Sequence, residues 1–278
     1  MSSWLDPLLG PLRDPAVQQG LVAALLIGIP CASIGVYVVL RRMAFIGDAL
    51  SHTVLPGLVM ASILGWSLAV GALAAGLVTA LGIGWLSRRR GLREDTAIGV
   101  LFTAMFALGV VLAAGRYDAE DLHHLLFGDL LRIGRQELPV LALVAAAVLG
   151  GLALLHKELE LASFDPSYAE VIGVRTDRLR YALLLLIALT VVVGLRAVGV
   201  LLTGALLVTP AAAASLLAHR VHRMMALASL LAVGSAVAGL YVAFHTAVPS
   251  GAAIVLASTA CFGAAWAWRS LRAAKGAR

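Results

Sequence analysis

Apolar residues run along this chain in long uncharged stretches, without the alternation of a β-protein. No Asp, Glu, Lys or Arg occurs in 15–40, 53–87, 96–115, 138–155, 181–195, 197–218 or 224–268. A helix crossing a bilayer core of roughly 30 Å needs about 20 residues, nearly all apolar. The stretches 53–87 and 224–268 are too long for one crossing each. Gly65-Trp66 divides the first. Thr246, Pro249, Ser250 and Gly251, beside His245, divide the second. The pattern predicts spans near 17–40, 44–64, 66–87, 96–115, 138–156, 179–195, 198–218, 224–245 and 250–268. That is an all-α, polytopic helical bundle in the membrane, with nine crossings, or eight if one segment only dips in. Backbone polar groups in lipid must pair internally, which favours helices. A membrane β-barrel would need short alternating strands with polar turns, and the sequence shows none.

Composition sharpens this picture. The chain is 61% hydrophobic and 13% charged, with mean hydropathy +0.97, far beyond what a soluble core uses. The first span lacks the basic start and cleavage site of a signal peptide and is expected to stay as a span. Residues 1–278 then form a single transmembrane domain. The net charge of +6 is read as topology. With Arg41 and Arg42 inside, alternation places 16 of the 21 basic residues inside and 5 outside (Arg13, Arg116, Arg132, Arg135 and Arg196). The positive-inside rule thus predicts the N-terminus outside and the C-terminus inside. Basic residues on that side also suit an anionic inner leaflet, and nothing points to nucleic acid. The longest loops are expected at 116–137, outside, and 157–178, inside. Abundant Gly and Ala suit close helix packing. No internal repeat is evident, so an inverted-repeat secondary transporter gains no direct support. Cys31 and Cys261 both fall in spans, have no metal-site spacing, and read as packing residues.

The chemistry concentrates in the second span. Asp48 is the acidic residue placed within a predicted span, where a carboxylate costs a few kcal/mol and needs a partner or a function. His52 follows four residues later and shares its helical face. Oxygen and nitrogen donors on one face suit Zn²⁺, Mn²⁺ or Fe²⁺. Two donors make a weak site, which suits an ion that must leave again. Gly47, Pro56 and Gly57 flank the pair and allow a kink or a close approach. A proton relay, or a hydrogen bond that only braces the bundle, fits the spacing too.

The stretch Arg41-Arg42-Met43-Ala44-Phe45-Ile46-Gly47-Asp48-Ala49-Leu50-Ser51-His52-Thr53-Val54-Leu55-Pro56-Gly57 resembles the signature of the permease family of zinc, manganese and iron ATP-binding-cassette importers. Leu126-Phe127-Gly128-Asp129 is similar to a second segment of that family. Val198-Gly199-Val200-Leu201-Leu202, running on to Leu207-Val208-Thr209-Pro210-Ala211-Ala212, resembles its late Gly- and Pro-Ala-containing helix. The similarity runs over roughly 20–268, and Asp-Ala-x-Ser-His-x-x-Leu-Pro-Gly is its most specific part. The resemblance implies a permease in the bacterial plasma (inner) membrane that pairs with a second permease copy. It also implies two cytoplasmic ATPase subunits and an extracytoplasmic metal-binding protein. Asp48 and His52 would line the metal path. Zn²⁺ or Mn²⁺ would be the transported substrate, and no cofactor would be bound permanently.

One inside segment reads as a docking element. Asp165 can cap a short helix opened by Pro166, Ala169, Val171 and Ile172 give it an apolar side, and Gly173 can end it. Such a helix could dock a partner's groove or lie on the membrane surface. The resemblance implies that Phe164, Asp165, Ala169 and Gly173 belong to the coupling helix against the ATPase. No phosphate loop is encoded, because neither lysine, Lys157 or Lys275, follows a glycine. The chain is therefore expected to be no enzyme, with energy coming from a partner or an ion gradient.

Other candidates have plainer explanations. Asp118, Glu120, Asp121, His123 and His124 could gather cations at the outer mouth or form a solvated loop. His219 and His222 flank basic residues and read as anchoring. His245 ends a span and reads as a helix-end contact. Arg196 is expected to snorkel. The competing function classes are an ATP-driven importer permease, a gradient-driven metal or proton transporter centred on Asp48, and an intramembrane enzyme. The last lacks His-Glu-x-x-His and has only Ser51–His52 as a nucleophile pair.

Overall fold

The structure, a computed structural model, describes residues 14–88, 92–114, 133–246 and 248–276. Eleven helices are present among them: α1 Pro15–Leu40, α2 Ile46–Thr53, α3 Leu55–Leu64, α4 Leu68–Ser87, α5 Glu94–Ala113, α6 Leu138–Phe164, α7 Pro166–Val171, α8 Thr176–Val198, α9 Val200–Leu217, α10 Val221–Thr246 and α11 Ser250–Gly276. With α2 and α3 counted as one span, nine segments among the described residues are long and apolar enough to cross a membrane. The all-α polytopic bundle expected from the sequence is what the chain forms.

Helix α1 is the central column. Asp14 caps it by accepting from the Ala16 N–H at 2.9 Å, and Pro15 opens it, where a missing N–H costs nothing. It packs against α6, α8, α9 and α10. Helices α9 and α10 pack on each other and on α11, and α3, α4, α5 and α8 form a second packed group. Small residues permit close crossings. Gly57 of α3 and Gly71 of α4 face each other so closely that a Cβ on either would overlap the other's carbonyl oxygen. Cys31 is fully buried, and Cys261 accepts a weak hydrogen bond from the Ser235 hydroxyl at 3.8 Å. Both are free thiols, as packing residues should be.

Two expectations need revision. The inside loop at 157–178 is mostly helical: α6 runs on to Phe164, and α7 follows after Asp165 alone. The uncharged stretch ended at residue 155 because the helix leaves the apolar layer there, while its hydrogen bonds continue. At 1.5 Å per residue, the 27 residues of α6 span about 40 Å. Its end therefore rises roughly 10 Å beyond a 30 Å hydrocarbon core. The second span is also not one continuous helix. Pro56 has no N–H to offer the His52 carbonyl four residues back, and the Val54 N–H turns to that carbonyl instead. Val54 keeps helical dihedrals (φ −74°, ψ −18°), so α2 and α3 still make one span of 19 residues.

Several candidates, Arg13, Arg89, Arg90, Arg116, Arg132, Arg278, the 118–124 cluster and Leu126–Asp129, lie outside the described residues.

Candidate functional site

Helix α2 is short, eight residues, and sits among α4, α5, α8 and α9. Ile46, Gly47, Ala49, Leu50, Ser51 and Thr53 are buried and anchor it. Asp48 and His52 share the remaining face. The Asp48 side chain is 64% exposed and that of His52 29%. His52 Nε2 lies 3.7 Å from Asp48 Oδ1, too long for a hydrogen bond. Two donors each about 2.1 Å from a tetrahedral ion would stand roughly 3.4 Å apart. The pair is thus spaced for a shared cation and is poorly placed as a direct brace. Asp48 also lies in the first turn of α2, where the helix dipole favours a carboxylate.

The neighbouring hydroxyls are already committed. Ser51 is fully buried, and its Oγ donates to the Gly47 carbonyl at 2.9 Å. Thr53 Oγ1 donates to the Leu50 carbonyl at 3.1 Å. Ser51 therefore offers no free nucleophile, and the enzyme reading loses its only pair. Phe102 and Phe106 of α5 pack on the His52 ring, with centroids 5.9 and 5.7 Å away. Sequence reasoning missed both. Their spacing of four within an apolar helix looked like any lipid-facing pair. Among the described residues no three His, Cys, Asp or Glu side chains gather around a point.

A polar cluster occupies one end of the bundle. Arg180 Nε pairs with Glu94 Oε1 at 3.0 Å, and Arg88 Nε pairs with Asp177 Oδ2 at 3.2 Å. Arg41 Nε donates to Ser163 Oγ at 3.2 Å. Burial pulls the Arg41 guanidinium below its ordinary pKa, Glu94 opposes that shift, and Arg180 reinforces it. Arg41, Ser163, Glu94 and Arg180 line a crevice of about 250 Å³ with Glu170 and Thr176. It joins the end of α1, just before the Asp48 segment, to the residues flanking α7.

Helix α7 forms as its sequence suggests. Asp165 accepts from the Tyr168 N–H at 2.9 Å, and Pro166 opens the helix. Gly173 leaves it at φ +88°, a conformation that favours glycine. Ala169 is fully buried and seats α7 on the bundle. Val171 and Ile172 are 83% and 51% exposed, with Phe164 and Tyr168 also exposed beside them. The outward apolar face is therefore Phe164, Tyr168, Val171 and Ile172, while Ala169 points inward.

The remaining histidines are peripheral. His245 Nδ1 lies 2.9 Å from the Tyr241 carbonyl, a helix-end contact. His219 and His222 are exposed beside Arg220 and Arg223. Arg196 is exposed at the last turn of α8.

Nine apolar segments among the described residues, with a short helix carrying Asp48 and His52 among them, define a multi-pass membrane protein. The ABC 3 transport family model matches residues 13–268, and the chain belongs to that family. It is 44% identical over 251 residues to the manganese transport system membrane protein MntC of Halalkalibacterium halodurans, covering 90% of this chain and 86% of the relative. It is 38% identical over 267 residues to a probable iron transport system membrane protein of Haemophilus influenzae, covering 96% and 98%. Among solved structures it resembles a chain of PsaBC from Streptococcus pneumoniae in complex with Fab. That match has a TM-score of 0.81 and 32% identity, and it covers 95% of each chain. The chain is accordingly a multi-pass protein of the plasma (inner) membrane and a permease subunit with no catalytic chemistry of its own.

Proposed function

We propose that this permease passes a divalent transition-metal ion, Zn²⁺ or Mn²⁺ first and Fe²⁺ next, inward across the membrane by alternating access, with Asp48 and His52 as the ligands on the way. The observation that carries the reading is one oxygen and one nitrogen donor on the open face of α2, 3.7 Å apart. The names of the manganese and iron relatives point to the same class of cargo.

A carboxylate left facing lipid within a span is costly, and Asp48 is 64% exposed in the single chain. A second permease copy covering this face would remove that cost. It would also bring another Asp48 and His52, making four ligands, the number a tetrahedral ion takes. Cytoplasmic ATPase subunits would dock on the apolar face of α7, which α6 lifts clear of the hydrocarbon layer. An extracytoplasmic metal-binding protein would deliver the ion. ATP binding and hydrolysis would then rock the helices and open the pair first to one side, then to the other.

The test is metal uptake per assembled complex, in proteoliposomes with the partner subunits and ATP at fixed pH. Asp48→Asn, which keeps shape and removes charge, nearly abolishes uptake, as does His52→Ala. Both leave assembly near wild type, because a weak two-donor site adds little to folding. Near-wild-type uptake in both variants would remove the pair from the mechanism. Uptake driven by a pH gradient without ATP would favour a secondary transporter instead. Comparing Zn²⁺, Mn²⁺ and Fe²⁺ in the same assay fixes the cargo.

A further inference from the structure

The imidazole of His52 is held on its inner side by phenyl rings and by nothing polar. Phe102 and Phe106 are four apart on α5 and share a face. Their rings stack 6.0 Å apart at 20° and both lie against His52. His52 Nδ1 is buried and has no hydrogen-bond partner among the described residues. The described residues of this chain alone bury that atom.

A metal-ligating imidazole ordinarily donates its second N–H to a carboxylate, a carbonyl or water, and losing that partner lowers affinity by about 10–100-fold. The fold supplies full support to another histidine. His156 Nδ1 lies 2.8 Å from the Tyr37 hydroxyl, and its Nε2 lies 3.6 Å from Glu160. At His52 only Nε2 has a polar neighbour, Asp48. A neutral imidazole that binds an ion through Nε2 must carry its proton on Nδ1. Here that proton points into a site without an acceptor, and a buried unpaired donor is unfavourable.

We infer that Phe102 and Phe106 are positioning residues that aim His52 toward Asp48 while withholding a partner from Nδ1, and so keep the imidazole a weak, quickly released ligand. This rests on the reading that Asp48 and His52 take the ion.

Phe102→Gln and Phe106→Gln each place an amide oxygen beside the ring, and Phe102→Leu and Phe106→Leu remove the ring without adding an acceptor. Zn²⁺ binding to the assembled transporter is measured by competition with a chromophoric chelator. Zn²⁺ uptake is measured in proteoliposomes as KM and maximal rate. At least one Gln variant should bind Zn²⁺ about 10–100-fold more tightly, with lower KM and a lower maximal rate. The Leu variants should bind more weakly than wild type. Adding His52→Ala to the tighter Gln variant should erase the gain, showing that it acts through the imidazole. The inference is overturned if both Gln variants, intact by size-exclusion chromatography, bind no more tightly than their Leu counterparts, or if the gain survives His52→Ala. Wild-type Zn²⁺ binding and uptake in His52→Ala alone would overturn the underlying ligand reading as well, independently of the phenylalanine variants.

Discussion

Neutralising the Glu94–Arg180 pair tests the polar cluster beneath α7. The two side chains are only 23% and 26% exposed and meet at 3.0 Å. At an effective dielectric constant of 20, their gross attraction is about 5 kcal/mol, much of it offset by desolvation. A charge-assisted hydrogen bond nets about 1.5–3 kcal/mol, against about 0–1 for an exposed pair. A pair this sheltered should contribute about 2 kcal/mol. Glu94→Gln leaves Arg180 with Asp177, 3.7 Å away, as a second partner. Arg180→Gln leaves Glu94 in the field of Arg41. Each single variant should therefore lose somewhat less than the full amount. At about 2–4 °C per kcal/mol, each should lower the Tm of the detergent-solubilised permease by about 4 °C. The double variant should lose scarcely more than either single. Additive losses, with the double falling by the sum of the two, would show that the pair contributes nothing and that each residue acts alone.

Other outcomes follow from the packing. Gly71→Val should destabilise the bundle by about 3 kcal/mol or more, since overpacking costs about 1–3 and the obstacle here is the Gly57 backbone. Normal thermal stability of that variant would refute the close crossing. Asp165→Ala removes the cap on α7 and should cost about 1 kcal/mol, read as faster amide exchange at 167–172, and unchanged exchange would refute the capping role. Val171→Glu should leave the permease folded but weaken co-purification of the ATPase or uncouple hydrolysis from uptake. Normal coupling would make α7 only a connector.

The spans were legible because hydrocarbon thickness writes itself as missing charge. Each of the nine begins or ends within a few residues of its predicted bounds, except where helices continue into water. There α6 extends past His156 and α11 past Trp268, since charged residues can stay helical once outside the apolar layer. Asp48 and His52 were legible because a carboxylate in a span is conspicuous and a separation of four fixes a shared face. The contacts of His52 with Phe102 and Phe106, and of Arg41 with Ser163, were not. They join residues 50 to 122 positions apart in sequence, and local pattern carries no record of which helices meet. The break at Val54 and the close approach at Gly57 were legible too, because Pro56 and Gly57 allow a kink and a tight contact. The inward turn of Ala169 was not, because a helix of six residues is too short for its periodicity to show which side is seated.

The openness of Asp48 also bears on how such a protein is made. In the proposed pair of permeases, a copy not yet covered by its partner would leave that carboxylate to recruit water or distort the surrounding lipid, at a cost of up to about 3 kcal/mol on insertion scales. If the proposed second copy covers Asp48, a solitary copy would be marked by its own chemistry as incomplete. Membrane proteases that remove unstable helices would then clear unpaired chains in preference to assembled ones. The group proposed to carry the ion would also set the stoichiometry of the complex during biogenesis, before any ion has arrived.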